Sequence, residues 1–329
     1  MTPLRIHVLA LRDCTAFVPV GLVDMLRKSA ALAGTLPGPV ARRGIEVTLV
    51  SAGRQPTIAG IGGVRLRCDA ALCEVASSDL VLVPALDPDV VEHLALNRGV
   101  VPWLRGIYDA GADVASACTG AFLLAEAGLL DRKAATTHWA FQDAFRRRYP
   151  QVRLEPEAIV VDQGRVVTSG GATSFLNLAL YLIERVLGAD VARAASRMFL
   201  IDVNKAPQSA YAMFATQRAH GDDDILRAQD IIESELTHAL TVDELARRVT
   251  MSRRNFVRRF RRATGNAPRE YVGRVRVEAA KRALECTQRP IAAIAADVGY
   301  DDVVAFRQLF ARSTGLTPSE YRARHRAAP

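Results

Sequence analysis

The stretch VASACTGAFLLAEAGLL (114–130) ends an apolar run at Cys118 and turns into a helix-like pattern straight after it. Strand, cysteine, helix, with small residues at the bend, is how a nucleophile elbow is built: a tight turn aims the side chain and nearby N–H groups into one small space. Three uses of Cys118 follow. A nucleophile needs a base within hydrogen-bond reach and a group that orients the base. A pocket residue needs only the geometry, because the N–H groups and dipole at a helix start favour a thiolate or a bound anion. An inert buried thiol needs neither. An elbow thiolate is also oxidisable. Thr119 and Gly120 supply the helix start, His138 stands in THW (137–139), and Ala172 and Thr173 lie in GGATS (170–174) ahead of another helix start. Ligands of open α/β sheets bind outside the carboxyl ends of the strands, so these are the candidate ligand contacts, with Cys118 among them. Ala85 and Leu86, which follow a strand-like run, belong to the same rim, and Trp139 is an aromatic suited either to the core or to facing a cation. The five cysteines, Cys14, Cys68, Cys73, Cys118 and Cys286, fit no metal-ligand spacing and are odd in number, so reduced thiols and no metal are expected.

A second constellation is cationic. SRRNFVRRFRR (252–262) offers Ser252 as a helix cap, Phe256 and Phe260 on one side and arginines on the other. Upstream, Thr241 and Glu244 form a T-x-x-E capping box for a preceding helix, with Leu245 and Val249 facing inward. Helix, short turn, capped helix is helix-turn-helix grammar. Arg253, Arg254, Asn255 and Arg258, near the start of the second helix, are placed to read base edges; Arg259 and later arginines are placed for phosphates.

The elements that position these residues divide by type. Runs at 4–11, 45–50, 79–84 and 112–117 are short and apolar, with helix-like segments at 17–33 and 89–109 between them, which predicts βαβ units and a mostly parallel sheet. Residues 158–161 and 165–168 predict a hairpin around DQG, and helical patterns follow at 173–187 and 190–200. Beyond Ile225 only helix remains, and it repeats. FVRRFRRATGNAPREY (256–271) and FRQLFARSTGLTPSEY (306–321) align at an offset of 50, while Leu245-Ala246 and Ile294-Ala295 align at 49, so the second copy has one extra residue in its turn. The second recognition helix, 302–312, carries Asp302, Val303, Val304, Ala305, Arg307 and Gln308; it is less basic, and Val303, Val304, Arg307 and Gln308 are its candidate DNA contacts. A helix at 269–286 joins the copies and can set the two recognition helices roughly 34 Å apart, one turn of DNA.

Charge follows the same division. The 329-residue chain has a net charge of +8; Ile225–Pro329 holds 20 Lys/Arg and 12 Asp/Glu, whereas 1–224 holds 23 of each. A basic module attached to a neutral one points to nucleic acid. Apolar runs such as 175–183 fall short of the roughly 18 residues a membrane span needs, and the N-terminus lacks a signal-type apolar region, so no membrane and a cytoplasmic location are expected. The expected organisation is 1–203, a linker at 204–224 where periodicity is lost, and 225–329.

Residues 225–326 resemble an AraC/XylS-type DNA-binding domain: RVRVEAAKRAL (274–284) matches its linker helix and VGYDDVVAFRQLFARSTGLTPSEYRAR (298–324) its signature. Val304 and Ala305 depart from it, standing where polar or aromatic residues are common. Residues 1–200 resemble the PfpI/ThiJ-like, class I amidotransferase-like fold, through SACTGAFLLAEAGLLDRKAATTHW (116–139) and VVTSGGATSFLNLALYLIERVLGADVARAASR (166–197). That order of parts is similar to the GlxA-type regulators. The resemblance implies a flavodoxin-like parallel sheet sandwiched by helices, followed by an all-α domain with two helix-turn-helix units. It implies a sequence-specific transcriptional regulator that binds promoter DNA and responds to a small metabolite, an amino acid or a quaternary ammonium acid, with no cofactor. RNA polymerase is a partner if it activates, and a homodimer forms through the N-terminal domain. Two departures bear on catalysis. PfpI-like peptidases commonly have His after the cysteine, where this chain has Thr119. Enzymatic relatives use an acid in the loop after the first strand, where alignment puts Val18; Asp24 belongs to the following helix. These departures favour a sensor pocket; the alternative is a cysteine-dependent hydrolase or hydratase fused to a DNA-binding module.

Overall fold

The computed structural model describes residues 2–36, 44–86, 89–202, 207–214, 216–238 and 240–326. The chain divides into two compact units, Met1–Gln208 and Ser209–Pro329.

In the first unit the strands are β1 (Leu4–Ala10), β2 (Ile45–Ser51), β3 (Thr57–Ala59), β4 (Arg65–Arg67), β5 (Ala70–Ala71), β6 (Leu80–Val83), β7 (Asp113–Ala117), β8 (Ala134–Ala135), β9 (Arg153–Leu154), β10 (Val160–Asp162) and β11 (Val166–Ser169). Seven form one sheet in the order β10-β11-β7-β6-β1-β2-β5. The hairpin β10–β11 is antiparallel and every other pair is parallel, β1 on β2 in register Leu4 to Ile45 and β6 on β7 in register Leu80 to Asp113. β6 is buried at every residue and β11 likewise, as strands covered on both faces must be. The covering helices are α1 (Phe17–Ala33), α2 (Val90–Leu96), α3 (Val100–Asp109), α4 (Ala121–Glu126), α5 (Gln142–Arg148), α6 (Phe175–Leu187) and α7 (Ala189–Met198). α1 buries Val18, Leu22, Met25 and Leu26, a helical stripe facing the sheet, and α6 and α7 pack beside it. The flavodoxin-like expectation is met. The helix read at 89–109 is two helices: Asn97 breaks it, accepting from the Arg12 N–H (2.9 Å) and donating to the Arg12 and His93 carbonyls (3.0 and 2.8 Å).

The second unit holds α8 (Asp223–Ser234), α9 (Val242–Arg248), α10 (Arg253–Thr264), α11 (Pro268–Cys286), α12 (Ile291–Asp297), α13 (Val303–Thr314) and α14 (Pro318–His325). Two small cores form, one around Ile232, Leu245, Phe256, Phe260 and Tyr271, the other around Leu284, Ile294, Phe306, Phe310 and Tyr321. α11 spans them, giving Tyr271 and Val272 to the first and Val277, Ala280 and Leu284 to the second. The sequence repeat is a geometric one. Tyr271 stands edge-on to Phe260 (5.2 Å, 85°) as Tyr321 does to Phe310 (5.4 Å, 84°). The Thr264 and Thr314 hydroxyls donate to the carbonyls of Phe260 (2.9 Å) and Phe310 (2.8 Å), and Gly265 and Gly315 end their helices at φ 74° and 70°. The extra residue of the second copy lies where expected, between Gly299 and the cap Asp302. A Cβ on Gly299 would overlap the Leu236 carbonyl, so the turn admits only glycine.

The segment read as a linker, 204–224, is largely structured; of it, residues 204–206 and 215 lie outside the described residues. Gln208 is buried in the first unit. In the second, Phe214 packs on Tyr271 (5.1 Å), Arg218 pairs with Asp230, and the Asp222 carboxylate caps α8 by accepting from the Ile225 N–H (3.3 Å). Asp222, Asp223 and Asp224, at the end of that segment, are the cap and first turn of a helix, where acidic side chains suit the unpaired N–H groups. Likewise, Thr241 caps α9 (3.2 Å), while the reciprocal bonding of a full capping box is found at Thr317 and Glu320 of α14. Among the described residues no helix is long and apolar enough to cross a membrane.

Candidate functional site

Cys118 follows the last residue of β7 at φ 57°, a left-handed conformation that costs a non-glycine residue energy and turns the chain sharply into Thr119, Gly120 and α4. The turn is clamped against the end of β6. A Cβ on Gly120 would lie 2.5 Å from the Pro84 carbonyl oxygen and 2.7 Å from that of Val83, so only glycine allows the approach. The Thr119 hydroxyl donates to the Leu86 carbonyl (2.7 Å) and that of Thr137 to the Cys118 carbonyl (3.0 Å).

The elbow geometry expected from sequence is present, but its surroundings oppose a thiolate. Cys118 is 5% exposed, and burial pushes its thiol up to about 11, outweighing hydrogen bonds from Thr119. Val18 is fully buried in α1, and Asp24 is exposed and paired with Lys28 (2.7 Å).

Beyond Thr137 the chain reaches the other candidate contacts, His138, Ala172 and Thr173. His138 starts a turn at Trp139–Phe141, its Nδ1 accepting from the Ala140 N–H (3.1 Å), and burial holds its imidazole below the usual range. Gly171 lies beside it: a Cβ there would be 3.8 Å from His138 Cδ2. Ala172 opens the 3-10 turn Ala172–Ser174, in which Thr173 is exposed and the Ser174 hydroxyl returns to the Gly171 carbonyl (2.5 Å). The segment 136–138 thus ties the Cys118 turn to the Gly170–Gly171 turn. Sequence reasoning missed Gln208, whose carboxamide fills the space beside Gly170 and accepts from the Gly171 N–H (2.6 Å). Nothing in a Pro- and Gly-containing stretch marks one glutamine as buried. A separate cleft of about 430 Å³, also unforeseen, lies past the ends of β1 and β2 between Arg12, Arg54 and Asn97.

In the second unit α10 buries Phe256 and Phe260 and exposes Arg253, Arg254, Arg258, Arg261 and Arg262. Ser252 caps it through the Asn255 N–H (3.4 Å). Arg253 meets Asp243 (2.9 Å) in an exposed pair, and Arg258 donates to the Asn255 side chain (2.8 Å). Arg259 is the exception. Its guanidinium is held by Asp222 (2.6 and 3.0 Å) and Asp224 (3.1 Å), on the side of α10 turned to α8, so it serves the fold instead of an open face. In α13, Asp302 is the cap, accepting from the Val304 and Ala305 N–H groups (2.8 and 3.3 Å). Val304, Arg307 and Gln308 are exposed, whereas Val303 packs against the second core and is corrected to a structural role.

Comparison with known proteins agrees with both halves. Residues 25–185 match the DJ-1/PfpI family and residues 245–324 a helix-turn-helix domain. The chain is 29% identical over 277 residues to the HTH-type transcriptional regulator CdhR of Pseudomonas aeruginosa, covering 84% of this chain and 81% of that one. It is 30% identical over 254 residues to the HTH-type transcriptional regulator Rv1931c of Mycobacterium tuberculosis, covering 70% and 90%. Among solved structures, Drosophila melanogaster DJ-1beta shares the fold of the first unit, with a TM-score of 0.51 at 18% identity over 60-odd per cent of this chain (61%) and 99% of that one. With a DJ-1/PfpI fold ahead of two helix-turn-helix units, and regulators matched along most of its length, the chain belongs to the AraC-type helix-turn-helix transcriptional regulators that carry a DJ-1/PfpI domain.

Proposed function

We propose that the first unit binds a small metabolite beside the Cys118 elbow without transforming it, and that occupancy shifts the population of DNA-binding states of the chain. The DNA half rests on one observation, the exposed arginine face of α10 opposite its buried phenylalanines. Arg253, Arg254 and Arg258 read or flank base edges, Arg261 and Arg262 hold phosphates, and α13 adds Val304, Arg307 and Gln308. The sensing half is supported by a buried Cys118, whose thiol is held above its usual range by burial and whose neighbouring hydroxyl is committed to a carbonyl, and by an apolar Val18. The effector class is an amino acid or quaternary ammonium acid. The regulator acts in the cytoplasm on promoter DNA, pairs through its first unit, and meets RNA polymerase where it activates.

The test is promoter binding by the full chain, with and without metabolites that raise its melting temperature in a thermal-shift screen. Binding that responds to none of them sinks the sensing reading. Cys118→Ala separates it from the enzyme alternative: a turnover activity lost in the variant while effector affinity and transcription persist makes the first unit an enzyme.

A further inference from the structure

We infer that the first unit contains a primary-carboxamide site and that Gln208 is its built-in occupant. The Gln208 side chain is buried, 3% exposed, in the last residue of the first unit. Its amide nitrogen faces four oxygens: the Thr136 hydroxyl (3.0 Å) and the carbonyls of Thr137 (3.2 Å), Pro156 (3.3 Å) and Ala158 (2.9 Å). Its oxygen accepts from the Gly171 N–H (2.6 Å). This pattern fixes which end of the amide is which, and it defines a ligand. A carboxylate brings no N–H to the four oxygens. An ammonium or guanidinium brings no acceptor to Gly171. A primary carboxamide satisfies both ends. Room for it exists because Gly170 has no side chain, since a Cβ there would overlap the Gln208 amide. His138 and Thr137 join this site to the Cys118 turn, so the glutamine sits among the residues expected to contact an effector.

A tethered side chain competes with free ligand at an effective concentration of the order of millimolar or above. An effector bearing a terminal carboxamide therefore binds by displacing Gln208, and release frees the chain where the first unit ends. The inference rests on the reading of the first unit as the metabolite-binding unit, and the experiment keeps the two apart.

Acetamide is titrated by ligand-observed NMR into the full chain and into Gln208→Ala, with acetate and methylammonium as controls. Gln208→Ala should bind acetamide at least about tenfold more tightly than the parent, because its competitor is gone, and should bind neither control. Gln208→Glu, which keeps the size but offers only acceptors to acceptors, should show the same gain and covers the case in which the alanine variant folds poorly. Adding Gly170→Ala to either variant should abolish the binding. Equal acetamide binding by parent and both variants, binding by none, or methylammonium binding as tight as acetamide overturns the site. Promoter binding indifferent to every metabolite, with the acetamide results as expected, overturns the sensing reading and leaves the site standing.

Discussion

At the scale of single residues the chain separates groups of like type by what surrounds them. Arg254 and Arg258 are exposed on α10, and replacing either with alanine should weaken promoter binding by about 1–3 kcal/mol and relax specificity at one position. Fluorescence anisotropy against single-base variants of the site measures both effects. Arg259, two carboxylates deep, should behave oppositely: Arg259→Ala lowers the melting temperature of the second unit and leaves base preference unchanged. The cysteines divide the same way. Cys73 and Cys286 are exposed, while Cys14, Cys68 and Cys118 are buried and pushed up to about 11. At pH 7 a thiol of that kind is thiolate in roughly one molecule in ten thousand. Brief iodoacetamide treatment followed by peptide mass mapping should therefore label Cys73 and Cys286 and spare Cys118; prompt labelling of Cys118 would revive the nucleophile.

At the scale of elements, what was legible in the sequence was whatever repeats or alternates. The core strands of the sheet and the helix from Phe17 to Ala33 follow from apolar pattern alone, and the Phe-Phe-Thr-Gly-Pro-Tyr spacing gave away two copies of one helical unit. Short pairings such as β3–β4 and β8–β9 left no pattern, because two or three residues carry no period. Aspartate caps left less of a signal than the Thr and Ser ones, because an aspartate is as much at home in a loop or on an exposed helix face. Asp302, read as the first residue of the second recognition helix, is its cap, so Asp302→Ala should cost about 1 kcal/mol of stability, a typical loss for a helix cap, and little promoter affinity. Asp222 shows the same role coupled to charge. Its hydrogen bonds with Arg259 hold its carboxyl below the usual carboxylate range. A depressed value means the unfolded chain takes up the proton first on acidification, so the pair's contribution is complete above the unfolded value of about 3.9 and is lost as pH falls through the folded one. Acid titration of the melting temperature should show this loss in the parent, and a shallower acid limb in Asp222→Asn.

At the scale of the whole chain, composition located the basic module but not its edge. Loss of periodicity at 204–224 looks like a tether, yet its described residues are held by particular side chains: Gln208 in the first unit, Phe214, Arg218 and Asp222 in the second. Long-range pairing of single polar residues has no sequence signature, which is why the boundary at Gln208–Ser209 was invisible. The consequence can be measured on fragments. One covering 209–329 keeps the Phe214 ring on Tyr271, the Asp222 cap of α8 and the carboxylates that hold Arg259, whereas one covering 225–329 loses all three. The longer fragment should melt cooperatively and at a higher temperature, and calorimetry on the pair decides it; equal melting temperatures would return 209–224 to the status of linker. The shorter fragment retains the whole charge excess of +8, because 1–224 is balanced, and the longer one keeps +6, since 209–224 adds Arg218 and three aspartates. If four to six arginines neutralise phosphates, the longer fragment should bind promoter DNA with a log–log salt slope of roughly −4 to −5. That slope should match the full chain's per DNA-binding unit and should not change when metabolites are added, since the effector site stays behind in the first unit.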